Sequence, residues 1–130
     1  MGTHSLIIMR VKKGDTFVTY CKLYQQFDGY PSGVGMQLLD FLNKITLVNG
    51  FVGRNTNSAN GASCLFAQIV AKFKSGIGGA YIEDPNSTDL EEYNYYVDVD
   101  DSINEIVFRI NDVFSGTCLA AVDFIKASDL

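Results

Sequence analysis

The segment from Tyr24 to Gly35 concentrates the ligand-binding chemistry of this chain. It reads Tyr-Gln-Gln-Phe-Asp-Gly-Tyr-Pro-Ser-Gly-Val-Gly and lies between a run of alternating apolar and polar residues and a run with helical spacing. The first amides of a helix have no partner within the helix, and glycines let a ligand approach them closely. The segment therefore predicts a site for phosphate or carboxylate at a strand-to-helix junction.

Side chains of the same segment would complete a site for a nucleotide-like anion. Asp28 and Ser32 offer hydrogen bonds, and the ring of Tyr24 or Tyr30 can stack on a base. The candidate ligand-binding residues are Tyr24, Gln26, Asp28, Tyr30, Ser32, Gly33 and Gly35, with Arg10 or Lys22 supplied by the preceding strands. An alternative interpretation, an ordered turn with Tyr30 packed on the core, accounts for the same residues and stays open.

Catalytic chemistry finds little support in the residue types. His4 is the single histidine and lies at the N-terminus, where fraying would make it a poor general base, and one histidine rules out a multi-histidine metal centre. Ser32 lacks the Gly-x-Ser-x-Gly elbow and is interpreted as the N-cap of the following helix. The Gly-Val-Gly after it lacks the third glycine of a dinucleotide fingerprint, because Leu38 occupies that position. The sequence predicts no catalytic residue and no cofactor, although acid/base work by Asp28 with a distant acid stays open.

An acidic cluster in the second half suggests calcium by composition alone. It consists of Asp98, Asp100, Asp101, Asn104 and Glu105. The glycine and the ligand periodicity of an EF-hand loop are missing, so a solvated hairpin turn is the favoured interpretation. Arg109 is one of only two cations after residue 74 and is predicted to be an ion-pair partner rather than a ligand clamp.

Length and composition predict a single domain. The chain has 130 residues, 47% of them apolar, with nine Phe and seven Tyr, which is ample for a packed core. No apolar run approaches the roughly 20 residues that cross a bilayer, and the N-terminus lacks the layout of a signal peptide, so a cytoplasmic protein is expected. Cys21, Cys64 and Cys118 are odd in number and widely spaced, which favours reduced, mostly buried thiols.

The net charge of −5 hides a division along the chain. Residues 1–74 sum to +5, whereas residues 75–130 sum to −10. Such a division can mean a cationic site on one part of the surface and an anionic patch on another. The alternative is that folding intermixes the two halves.

Hydrophobic periodicity predicts eight elements in the order ββααβββα. Strands are expected at about residues 5–11, 16–26, 78–83, 92–99 and 105–111, and helices at about 34–45, 60–74 and 117–127, with a surface loop at 49–60. Hairpin groups with helices between them predict an α+β domain with one antiparallel or mixed sheet, mainly antiparallel and of about five strands, and with helices packed mainly on one face. Tyr93 and Tyr95 should share one face of their strand and Tyr96 the other, which places at least one ring in the core.

Several sequence blocks resemble a widespread family of small proteins in tailed phages and prophages. They are Met-Gly-Thr-x-Ser-Leu at the start, Tyr-x-Gln-Phe-Asp-Gly-Tyr-Pro-Ser-Gly-x-Gly at 24–35, Asn-Gly at 49, Asn-Gly-Ala-Ser-Cys with Ala-Gln at 60–68, Gly-Gly-x-Tyr-Ile at 78–82 and Phe-Ser-Gly at 114. The resemblance covers most of the chain. The family usually has arginine where this sequence has His4, and the resemblance carries over no catalytic residue.

The resemblance implies a role against host defence. Small non-structural phage proteins often sequester cyclic nucleotide signals or block a protein effector. Together with the predicted anion site, this favours a phage-encoded antagonist in the host cytoplasm that binds a cyclic oligonucleotide without turning it over. Neither membrane association nor direct nucleic-acid binding is expected, and a homo-oligomer would add walls to a shallow site.

Two other functions stay open. One is an inhibitor whose acidic second half imitates nucleic acid and occupies a basic effector surface. The other is a small hydrolase or transferase acting through Asp28.

Overall fold

The chain builds one six-stranded sheet from an N-terminal hairpin and a C-terminal group of strands. A computed structural model describes residues 2–50 and 57–128. The strands are β1 Ser5–Lys13, β2 Thr16–Gln25, β3 Thr46–Val48, β4 Ser58–Asn60, β5 Ala80–Glu83, β6 Tyr93–Asp100, β7 Glu105–Ile110 and β8 Phe114–Gly116. The helices are α1 Met36–Leu42, α2 Gly61–Phe73 and α3 Cys118–Ser128, and a π-helical turn, Pro31–Gly35, leads into α1. The main sheet has the order β5-β2-β1-β6-β7-β8, and β3 pairs with β4 separately.

One pairing at the centre of the main sheet is parallel, and the sequence did not predict which two strands would form it. β1 and β6 run in the same direction, with Ile7 opposite Tyr95 and Arg10 opposite Asp98. The other four pairings are antiparallel. Parallel neighbours need a long crossover, and the chain between β2 and β6 supplies one that contains α1 and α2. The α+β class is confirmed, and the sheet is mainly antiparallel as predicted, with six strands instead of about five and one parallel pairing.

The core lies between one face of this sheet and the three helices. Alternate strand residues point to this face, as the period-two pattern requires. The sheet contributes Ile7, Met9, Leu23, Tyr95, Val97, Phe108 and Ile110, and the helices contribute Leu38, Leu39, Leu65, Ile69, Ala121 and Ile125. Helix packing on one face is therefore confirmed. In the described part of the chain, no helix is long and apolar enough to cross a membrane.

The opposite face of the sheet, here called the helix-free face, is polar but partly buried. Leu6 and Ile8 point to it and are 2% exposed, and the segment 84–92 between β5 and β6 lies beside Leu6. Nζ of Lys22 donates to the backbone oxygen of Ser87 in that segment. Tyr96 points to the same face while Tyr95 is fully buried in the core, which confirms the predicted alternation of these two rings.

Short elements account for the differences from the predicted order. β3, β4 and β8 have three residues each, too few to show a hydrophobic period. The first helix is preceded by the π-helical turn, and its predicted N-cap is wrong: Ser32 lies inside that turn and makes no capping bond. Residues 51–56 of the predicted surface loop lie outside the described residues.

The basic and acidic parts of the chain intermix in the folded sheet. β1 from the basic half lies beside β6 from the acidic half, and Arg10 and Lys12 form ion pairs with Asp98 and Asp100. In the next turn, Oδ1 of Asp101 accepts the amide of Ala62 at 2.9 Å, at the start of α2. The acidic cluster is thus divided among an ion pair on the sheet, a turn and a helix end. Within residues 2–50 and 57–128, no group of three or more His, Cys, Asp or Glu is placed to hold a metal ion.

Candidate functional site

The N-terminal residues pack beside residues 27–35, here called the motif loop, at one end of the sheet. The amide of Gly29 donates to the carbonyl oxygen of Thr3 at 2.9 Å, which continues the β1–β2 pairing past its last pair, Ser5 and Gln25. Two blocks that carry the family resemblance, residues 2–6 and 24–35, therefore form one surface. The sequence predicted fraying of the segment around His4, and in the structure this pairing holds the residues on both sides of it.

The amides predicted to bind an anion are used inside the loop. The amide of Gly33 donates to the carbonyl oxygen of Tyr30, and that of Val34 donates to Asp28, both at 2.8 Å. Asp28 has a φ of 56°, a left-handed conformation that Asp tolerates, and this lets the loop turn back on itself. An amide that already faces a carbonyl oxygen is not free for a phosphate. The expectation of unpaired amides at the helix start is therefore corrected for Gly33 and Val34.

Gly33 and Gly35 are buried and make room for the protein itself. A Cβ atom on Gly33 would lie 2.3 Å from the carbonyl oxygen of Asp28. A Cβ atom on Gly35 would lie 3.1 Å from the ring of Tyr95. The close packing of the loop on the sheet accounts for both glycines without a ligand.

Five side chains meet on the helix-free side of this end of the sheet. The group, here called the His4 cluster, consists of His4, Tyr24, Gln26, Tyr81 and Glu91. The Tyr24 hydroxyl donates to Oε1 of Gln26 at 2.9 Å, and Nε2 of Gln26 lies 3.3 Å from Nε2 of His4. Nδ1 of His4 lies 3.6 Å from Oε1 of Glu91. The Tyr24 ring packs edge-on against His4 at 5.5 Å and beside Tyr81 at 6.1 Å, measured between ring centroids.

The hydrogen bonds of the His4 cluster have a direction. Since the Tyr24 hydroxyl donates to the amide oxygen of Gln26, the amide nitrogen of Gln26 is the group that faces His4, and it can only donate. Nε2 of His4 is then the acceptor, and the ring proton of neutral imidazole sits on Nδ1, toward Glu91. Donors and acceptors thus run in one row from Tyr24 to Glu91.

The electrostatic environment of the His4 cluster is acidic. Burial raises the pKa of the Tyr24 hydroxyl, and the carboxylates of Glu91 and Glu83 raise it further, followed by Tyr81. Tyr24 therefore stays protonated and donates at neutral pH. A phosphate would meet two carboxylates here, and the cation beside Tyr81, Nζ of Lys74 at 5.6 Å from the ring centroid, already donates to two backbone oxygens. The cluster therefore suits a neutral polar ring better than an anion.

Three predicted site residues lie on the outer surface of the motif loop. Asp28, Tyr30 and Ser32 are exposed, and the Tyr30 hydroxyl lies 3.3 Å from Oδ1 of Asp28. Tyr30 is 38% exposed to solvent and is not packed into the core. These residues adjoin the strand end that carries Tyr24 and Gln26.

The structure does not bring Arg10 and Lys22 to the motif loop. Both side chains lie on the helix-free face, where Lys22 is buried under the 84–92 segment. Tyr24 lies opposite Leu6, and Arg10 comes four residues later in β1, about 13 Å along the strand. Arg10 is bound to Asp98 there, and so is Arg109, at 2.6 and 2.7 Å. The prediction that Arg109 forms an ion pair is confirmed.

Sequence reasoning missed His4, Tyr81 and Glu91. The available signal was position 4 itself, where the phage proteins that the sequence resembles usually have arginine. Tyr81 and Glu91 are far from it in the chain and reach it only through the pairing of β5 with β2 and the path of the 84–92 segment.

The three cysteines are free thiols. Burial raises the pKa of Cys118 to about 11 and also raises that of Cys21. Both are therefore overwhelmingly protonated at neutral pH, which disfavours a nucleophilic role. Cys21 and Cys64 are only half-buried, so the expectation of mostly buried thiols fits Cys118 best.

Comparison with known proteins gave no match to any family model, any curated protein or any solved structure.

Proposed function

We propose that this protein binds a nucleotide-like ligand at the His4 cluster and the adjoining surface of the motif loop, and that it does so without turnover. The observation that carries the proposal is the hydrogen-bonded row from Tyr24 through Gln26 and His4 to Glu91, beside the ring of Tyr81. A nucleobase matches such a surface, since it has two flat faces and an edge of donors and acceptors.

The rings supply the stacking surface. Tyr81 is 51% exposed on edge strand β5, and Tyr24 lies beside it. Stacking of a base on an aromatic side chain contributes about 1–3 kcal/mol. The partly exposed His4 and Glu91 side chains, at 39% and 28%, are accessible to the edge of a base.

The bonding of His4 supports binding rather than catalysis. Its Nε2 accepts from Gln26 and its Nδ1 faces Glu91, so neither nitrogen is free to take a proton from a substrate in this arrangement. Covalent catalysis would also need a nucleophile in this hydrogen-bonded row, and neither Cys21 nor Cys118 belongs to it.

The resemblance to small phage proteins suggests the physiological form of this binding. A phage protein that holds a host signalling nucleotide would keep the signal from its effector in the host cytoplasm. Binding without turnover is sufficient for that role when the protein is in excess over the signal. The alternative of a nucleic-acid mimic stays open but is weakened, because Asp98 and Asp100 of its acidic half pair with cations on the sheet.

Isothermal titration with cyclic di- and trinucleotides, and with adenosine and guanosine as phosphate-free probes, tests the proposal. Tyr81→Ala should weaken binding about tenfold or more. Gln26→Ala should also weaken binding, because it removes the amide that links the Tyr24 hydroxyl to His4. Tyr20→Ala, which removes a comparably exposed tyrosine from the same sheet, is the matched control and should bind like the natural protein.

Two outcomes would contradict the proposal. Absence of binding to every probe at micromolar concentration removes it. Recovery of altered nucleotide by chromatography after incubation would instead favour the hydrolase or transferase alternative.

A further inference from the structure

Two arginine side chains on the helix-free face share a single buried carboxylate. Arg10 donates from Nε to Oδ1 of Asp98 and from Nη2 to Oδ2, both at 2.6 Å. Nε of Arg109 donates to the same Oδ2 at 2.7 Å. The three residues come from adjacent strands β1, β6 and β7, so the sheet itself sets their spacing.

The charges of this group do not balance. Two guanidinium groups face one carboxylate, and in the described part of the chain no second acid lies within ion-pair distance of either arginine. The Asp98 side chain is 1% exposed, and those of Arg10 and Arg109 are 22% and 34% exposed. One positive charge therefore remains in a partly desolvated position, where an anion interacts more strongly than it would in open water.

Both guanidinium groups are held in place before any ligand arrives. Arg10 lies over the rings of Phe17 and Tyr96, 4.7 and 4.6 Å from their centroids. Arg109 also donates from Nη1 to Oγ of Ser115 at 2.9 Å. Side chains that are already ordered lose little conformational freedom on binding, which favours affinity.

Donors remain on both arginines after these contacts. A guanidinium has five N–H donors on three nitrogens. Arg10 uses Nε and Nη2, and Arg109 uses Nε and Nη1, so Nη1 of Arg10 and Nη2 of Arg109 have no acceptor among the described residues. Planar arginine forks suit the oxygens of a phosphate group.

We infer that Arg10 and Arg109 form a binding site for the phosphate group of a small phosphorylated molecule. Asp98 positions the two guanidinium groups, and Ser115 supplies an additional hydroxyl. The site is separate from the His4 cluster, which is acidic and about 13 Å away along the strands. It does not depend on the function proposed above, although a ligand with several nucleotides could occupy both.

Titration of the full chain with inorganic phosphate, followed by NMR of the arginine Nε–Hε groups, tests this inference. Saturable shifts of the Arg10 and Arg109 signals at millimolar phosphate are expected. Arg109→Gln should weaken phosphate binding on the order of tenfold or more, and Arg109→Lys should recover part of the loss. Lys44→Gln removes an exposed cation from α1 and should leave phosphate binding unchanged.

Arg109 is the better position for substitution, because Arg10 carries the two-pronged contact to buried Asp98 and its loss endangers folding. Thermal unfolding of Arg109→Gln confirms that the fold is retained. Unshifted arginine signals in the natural protein, or unchanged phosphate affinity in folded Arg109→Gln, would overturn the inference.

Separate probes keep the two proposals apart. Adenosine, which has no phosphate, reports on the His4 cluster, and inorganic phosphate reports on the arginine pair. Adenosine binding that is lost with Arg109→Gln, or phosphate binding that is lost with Tyr81→Ala, would contradict the separation of the two sites.

Discussion

The hydroxyl of Tyr95 donates to the carbonyl oxygen of Gly29 at 2.6 Å, and this bond fastens the motif loop to central strand β6. Tyr95 is fully buried, and its ring also packs against Phe108 at 6.1 Å between centroids. Burial raises the pKa of Tyr95 far above its ordinary value, so the hydroxyl keeps its proton and remains a donor. The loop is thus anchored by the core and not only by the surface strands around it.

Tyr95→Phe should lower the free energy of unfolding by about 1–2 kcal/mol, because the buried carbonyl of Gly29 loses its donor while the ring stays in place. Urea denaturation measures the change. Tyr93→Phe is the matched control: its hydroxyl makes no hydrogen bond to the described residues, and a change of about 0.5 kcal/mol or less is expected. Equal effects of the two substitutions would show that the Tyr95 bond contributes nothing particular.

Some of this arrangement follows from the sequence and some does not. Alternation places Tyr95 in the core and Tyr96 on the other face, because strand periodicity depends only on neighbouring residues. The parallel contact of β1 with β6 depends on residues some 90 positions apart, and no local pattern specifies which distant strand becomes a neighbour. The contact of His4 with Glu91 could not be predicted for the same reason.

The motif loop shows the limit of reasoning from turn chemistry. Its residues correctly indicate a turn between a strand and a helical element. They do not indicate that the carbonyl oxygen of Asp28 would accept a hydrogen bond from the amide of Val34, because that bond depends on the left-handed φ of Asp28. A free helix start and a self-closed loop have the same composition, and only the backbone path distinguishes them.

Gly33→Ala should destabilise the protein by about 2 kcal/mol, since the new Cβ would lie 2.3 Å from the Asp28 carbonyl oxygen and the loop would have to shift. Chemical denaturation measures the loss, and amide chemical shifts of the motif loop should change with it. Ser32→Ala is the neighbouring control, with an expected loss of about 0.5 kcal/mol or less because Ser32 makes no capping bond. A loss of about 1 kcal/mol for Ser32→Ala would instead support the N-cap that the sequence predicted.

Asp98→Asn should be the most destabilising of these substitutions, at about 3 kcal/mol. The side chain keeps its shape, but the carboxylate that holds Arg10 and Arg109 loses its charge, and two guanidinium groups then face each other without compensation. Partial exposure of both arginines keeps the loss near the lower end of the range for buried ion pairs. Asp40→Asn removes the acid of the exposed Asp40–Lys44 pair and should change the free energy of unfolding by about 0.5 kcal/mol or less. Denaturation at low salt measures both changes. Similar losses of unfolding free energy in the two variants would mean that the buried Asp98 carboxylate stabilises the protein no more than an exposed one.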